Sequence, residues 1–205
     1  CIRLEVSWAD GVADIDQEKR DLLAELELEP TRKYGYEMIN SGQLGSTWVS
    51  YANAIQELLV GAQDIADEVG GLKIGNPTGH GEEDDPDYIE SPYSLNSIED
   101  FTDNIKSIQN AYEGYQIGKN GNVTDGYIQP VDHSLSAYVA TISPEADTRL
   151  KNAIQAAIDA IGKMQEPFAK TARDPQYDAI NQAAIAACNE VSDALSAVMN
   201  AVAQN

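Results

Sequence analysis

Basic residues are scarce in this chain. Thirteen Lys and Arg stand against 34 Asp and Glu in 205 residues, a formal net charge of -21 at pH 7. A surface of that sign repels phosphate backbones and anionic lipid heads, which argues against nucleic-acid binding and peripheral membrane docking. It attracts cations, weakly and non-specifically at physiological salt. Long apolar runs are missing too. No stretch of 18 apolar residues occurs, so no transmembrane helix is expected, and no signal peptide is read. Two cysteines, Cys1 and Cys188, are too few to argue a disulfide framework. Cys188, beside Ala187 and Val191, reads as a buried thiol. Phe and Trp number two each, whereas Tyr numbers ten. That mix predicts Ala-, Ile- and Leu-packed helices with amphipathic rings near the surface. Several chemical signatures are also absent: no GxSxG elbow, no P-loop or GxGxxG between strand and helix, no CxxC, and no His near Cys188.

The chain opens on Cys1 rather than Met, so its start reads as a product of processing, cloning or cleavage. A mature lipoprotein also begins with Cys, but usually continues as a polar tether. Here Ile2, Leu4, Val6, Trp8 and Ala9 read as the tail of a helix whose beginning is missing.

What is present is helical period. A short helix is expected from Asp16 to Leu28, closed by Pro30, then a Gly-punctuated loop from Tyr34 through Asn40, Gly42 and Gly45. The clearest helix runs from Ser46 to about Leu72. Its stripe is Trp48, Ala52, Ile55, Leu59, Ala62, Ile65 or Ala66, Val69 and Leu72, and Gly70-Gly71 and Gly75-Asn76-Pro77 end it. Thr78 to Asn96 read as a loop. A second helix starts at Ser97, with Asp100 completing a capping-box-like pattern and Ile98, Phe101, Ile105, Ile108 and Tyr112 as its apolar face. Gly114 to Gln129 read as a turn region, and Ser134 to Ile142 as a short helix. Ser143-Pro144-Glu145 opens the next helix, to about Lys163. Pro167-Phe168 turns the chain, and Asp174-Pro175 repeats the start signal for a last helix reaching the C-terminus. The fold class is all-α: an up-down helical bundle of four main helices plus short ones, spanning residues 1–205 as one domain.

Two regions could carry chemistry. His80, Glu82, Glu83, Asp84, Asp85 and Asp87 offer imidazole and carboxylates, ligand types for zinc, iron or calcium. The spacing matches neither the helical HExxH site nor the calcium loop, so a solvated acidic loop is the simpler reading. His133 reads as a surface or capping residue. The second region is Glu90, Ser91, Tyr93, Ser94, Asn96 and Ser97, six polar side chains in eight residues just before a helix. Capping needs only one or two of them; the excess could line a ligand-binding cleft at a helix N-terminus.

YGYEMINSGQLGSTWVSY at Tyr34–Tyr51, ADEVGGLKIGNP at Ala66–Pro77, IESPYSLNSIEDFTDNIKSIQNAY at Ile89–Tyr112 and DTRLKNAIQAAIDAI at Asp147–Ile161 resemble, in that order, the C-terminal half of imelysin-like proteins of Bacteroidota. The resemblance implies one half of a two-bundle architecture. It further implies an envelope location, periplasmic or as an outer-membrane lipoprotein, and a role in iron or other metal uptake with the ligand held at an interdomain cleft. The expected partners are the N-terminal half of the same protein and a metal ion or metal complex. No cofactor is expected within this chain, and iron or zinc in the full-length protein. The family's GxHxxE signature belongs to the N-terminal half, which is apparently absent. Thr78-Gly79-His80-Gly81-Glu82-Glu83 contains HxxE, but Thr78 stands where the first Gly belongs, so His80 and Glu83 are only weak metal candidates and no catalytic residue is named. The alternatives are a metallopeptidase of the imelysin type, and a non-catalytic surface module binding glycan or protein through Tyr88, Tyr93, Tyr112, Tyr115 and Tyr127.

Overall fold

The computed structural model describes residues 17–25, 34–114 and 134–205. The readings on Cys1–Ala9, Asp16, Pro30, Tyr115, Tyr127 and His133 lie outside the described residues. The chain divides into two units, Cys1–Glu57 and Leu58–Asn205.

In the first unit, α1 spans Gln17–Glu25 and α2 spans Tyr34–Ile39. The expected loop from Tyr34 is therefore helical at its start. The turn after α2 is held by its own polar groups. Ser41 Oγ donates to the Met38 carbonyl at 2.6 Å, and Ser46 Oγ to the Glu37 carbonyl at 2.8 Å. Gly42 takes φ +83°, and its N–H donates to the Trp48 carbonyl at 2.8 Å. These bonds absorb Ser46 to Ser50, so α3 begins at Tyr51, not Ser46, and runs to Asp67. The Tyr51 hydroxyl donates to the Ile39 carbonyl at 2.7 Å.

In the second unit the α3 helix does not end at Gly70-Gly71. It widens into a π-helix, π1, over Glu68–Gly75, and continues through one α turn, α4 (Asn76–Thr78), to Gly79 at φ +78°. The glycines act as approach sites rather than terminators. A Cβ on Gly70 would lie 2.9 Å from the Cys188 Cβ, and one on Gly75 would lie 2.9 Å from the Gly70 carbonyl oxygen. The wider turns also shift the stripe: Val69 and Ile74 are buried, whereas Leu72, read as a core position, is exposed.

Four further helices carry the expected apolar faces: α5 (Ser97–Glu113), α6 (Leu135–Ile142), α7 (Pro144–Ile161) and α9 (Asp178–Ala203), with the single turn α8 (Phe168–Thr171) before the last. Among the described residues no strand occurs, and the architecture is the expected up-down helical bundle. Helix α9 packs along α7 and π1, and α5 packs on α7, α6 and α8. Leu150, Ile154 and Ile161 of α7 meet a core built with Val191, Leu195 and Val198 of α9, all fully buried. Phe101 and Phe168 stack edge to face at 5.3 Å between centroids. Gln63 of α3 donates to Ser192 Oγ at 3.1 Å and Ser196 Oγ at 2.8 Å, fastening α3 to α9. Cys188 is buried, as expected, and Tyr112 is core, as its place on the apolar face of α5 predicts, so it does not line a surface cleft. The last helix starts at Asp178 rather than at Asp174-Pro175, because Asp174 is used in a turn, accepting the Gln176 N–H at 2.9 Å.

Candidate functional site

A pocket of about 350 Å³ is lined, among the described residues, by Glu68, Lys73, Asp87, Tyr88, Ile89 and Glu90. Its two walls come from π1 and from the loop that precedes α5. Lys73 Nζ lies 3.1 Å from Glu90 Oε1 and 3.7 Å from Glu68 Oε1, with the Lys73 side chain 14% exposed. The other Glu90 oxygen, Oε2, is covered and has no hydrogen-bond partner among the described residues, while the side chain as a whole is about a third exposed. Leaving a buried acceptor unmade is costly, so this carboxylate calls for a donor or cation. The pairing of Glu68 with Lys73 depends on the π-helix. Five residues along an α-helix turn the chain through about 500°, leaving two side chains about 140° apart. In a π-helix, where N–H groups bond five residues back, residues five apart stack on one side.

The loop that brings Glu90 to Lys73 is held by its hydroxyls. Ser97 Oγ donates to the Glu90 carbonyl, and Ser91 Oγ to Asp100 Oδ2. Asn96 Nδ2 reaches Asp100 Oδ1 at 3.4 Å, and Ser94 Oγ the Ser91 carbonyl at 3.5 Å. The backbone turns through positive φ at Ser91 (55°) and Leu95 (59°). Asn96 is the N-cap of α5 but its side chain makes no capping bond, and the Asp100 carboxylate is taken up by the loop, so the expected capping box does not form. Of the six polar residues read as a cleft, Glu90 alone lines the pocket. Ser91, Ser94, Asn96 and Ser97 build the turn, and the Tyr93 side chain projects fully into solvent.

His80 and Glu83 sit earlier on the same loop between α4 and α5. His80 Nε2 is 2.6 Å from Asp178 Oδ1 at the start of α9, and Gln182 Nε2 donates to Asp178 Oδ2 at 2.7 Å. The His80 bond, seconded by Gln182, holds the Asp178 carboxyl below its usual range. Glu83 contributes its backbone, donating to Asn76 Oδ1 at 3.2 Å, while its side chain is exposed. Among the described residues no three His, Cys, Asp or Glu side chains are grouped to hold a metal ion. Arg173 closes the knot. Its Nε donates to the Pro77 carbonyl at 2.6 Å, and its Nη2 to the Asn76 carbonyl at 3.3 Å and to Asp84. Glu68, Lys73, Arg173 and Asp178 were not legible as site residues. The first two stand five apart in what reads as an α-helix, and the last two are about a hundred residues from the loop they hold.

Residues 9–195 match the imelysin family, peptidase family M75, and the chain belongs to it. Two solved structures share its fold. One, named as an iron-regulated protein A precursor from Parabacteroides distasonis ATCC 8503, is 29% identical with a TM-score of 0.67, and the match covers 84% of this chain and 47% of that one. The other, an imelysin peptidase from Bacteroides ovatus, is 31% identical with a TM-score of 0.62, covering 81% of this chain and 45% of that one. The chain thus spans just under half the length of each. Among curated proteins no match is found.

Proposed function

We propose that this chain is part of a cell-envelope imelysin that captures iron, as an ion or within a complex, and that the Glu68–Lys73–Glu90 pocket is its contribution to the ligand site. The observation that carries the reading is a pair of carboxylates gathered around one cation, with the second Glu90 oxygen lacking a partner among the described residues. The Parabacteroides relative, named as iron-regulated, supports iron as the metal. The net charge of -21 supports a cationic cargo. In this reading the N-terminal half of an imelysin-type protein completes the site.

Calorimetric titration of the natural full-length protein with ferrous and ferric iron tests it. Binding that survives excess calcium is expected; no heat above that of calcium sinks the reading. A metallopeptidase is the second reading, favoured by the Bacteroides relative, which is named as a peptidase. Chelator-sensitive cleavage of an unfolded protein substrate would install it in place of capture.

A further inference from the structure

Resting on the reading of this pocket as a binding site, we infer that its ligand is an organic cation. It takes an alkylammonium group, free or as the arm of a metal complex, rather than a bare metal ion. Size is the first reason. A bare ion needs several oxygens within about 2.0–2.6 Å of one point. Among the described residues no three such side chains are grouped, so a bare ion would have to draw most of its ligands from the other half. A volume of about 350 Å³ instead falls at the lower end of small-molecule pockets.

Charge is the second reason. Glu68, Asp87 and Glu90 carry three negative charges and Lys73 one positive, leaving the pocket at -2. An anionic ligand would meet that repulsion, whereas an ammonium would relieve it.

The third reason is that the pocket already holds an ammonium. The π-helical register sets Lys73 Nζ between Glu90 Oε1 and Glu68 Oε1, each at ion-pair distance. The geometry is therefore one that two carboxylates and a tetrahedral N–H donor satisfy together. A second ammonium finds two further lining carboxylates, Asp87 and the half-exposed Glu68. Tyr88 and Ile89 also line the pocket, an aromatic and an aliphatic side chain of the kinds that take a methylene stem and a cation.

The probe is 1,5-diaminopentane, titrated calorimetrically into the full-length protein. 1-Pentanol serves as the neutral control of equal stem, and ferrous iron as the bare ion. The diamine should bind, and more weakly as salt rises, while pentanol should give no heat. Glu68→Gln should weaken the diamine at least tenfold. Because Glu68 is on the rim, that variant keeps its melting temperature, which separates lost binding from lost fold. Glu90→Gln should weaken it further. Ferrous iron bound through Glu68 and Glu90, with no diamine binding, would overturn the ligand class and leave iron capture standing. Iron binding untouched by both variants, with no diamine binding, would overturn the pocket itself. Failure of both probes would remove this inference together with the capture reading.

Discussion

Gly70 and Gly71 are neighbours with opposite requirements. A methyl on Gly70 would enter contact with the Cys188 Cβ at 2.9 Å, while one on Gly71 meets nothing within 4 Å. Gly70→Ala should therefore cost about 1–3 kcal/mol of overpacking, and Gly71→Ala should stabilise by about 0.4–1 kcal/mol through the unfolded chain. Urea midpoints read both, and equal effects would contradict the geometry. Cys188 supplies a pH signature. Burial pushes its thiol up to about 12. The folded pKa lies above the unfolded one, so its contribution is complete below the ordinary thiol value and is lost as pH rises from about 9 towards 12. Tyr112 adds a later loss of the same sign above about pH 10, its hydroxyl raised by burial and then by the Asp147 carboxylate. Cys188→Ala should flatten the early part of the alkaline stability loss, measured by denaturant midpoint against pH, and leave the Tyr112 part.

Among the elements, Asp147 joins three helices. From the first turn of α7 it accepts Tyr112 Oη of α5 at 3.0 Å, Ser136 Oγ of α6 at 2.6 Å and Lys151 Nζ at 2.8 Å. Asp147→Ala should cost about 2–3 kcal/mol, because a buried tyrosine hydroxyl is left unpaired. Tyr112→Phe should cost about 1 kcal/mol. Lys151→Ala, which loses a half-exposed pair, should cost less than about 1 kcal/mol. Thermal unfolding of the three variants checks the order. Helix starts with one local signal were legible: Pro144 opens α7, and Ser134 caps α6 by accepting the Ala137 N–H at 3.0 Å. The start read at Asp174 was not borne out, because its carboxylate is spent on a turn. The start of α5 at Ser97 was legible, although Asp100 serves the loop and not a capping box. The loop before α5 was legible as polar and special, but its chemistry was not. The hydroxyls that drew notice are fasteners, and the charged pair comes from π1.

Across the whole molecule, 34 acids against 13 bases mean self-repulsion in the folded state. Raising salt from about 10 mM to about 0.15 M shortens the screening length from about 30 Å to about 8 Å. The melting temperature should rise by a few degrees over that range, and a fall would show that specific ion pairs outweigh the net charge. The all-helical bundle was legible at this scale because 3.6-residue stripes persist through α5, α7 and α9. The π1 stretch broke that rule, since a wider turn cannot be told from an α-turn by an apolar stripe.

In that same stretch each N–H bonds five residues back instead of four, so each hydrogen-bonded turn holds one residue more than in an α-helix. A chain shortened by a single residue between Glu68 and Gly75 could close the gap as ordinary α-helix and still reach Asn76. What it would give up is Glu68 standing beside Lys73. Natural length variation in this family should therefore split in two at this point. Chains with the extra residue would keep the acidic pocket, and chains without it would keep the bundle alone.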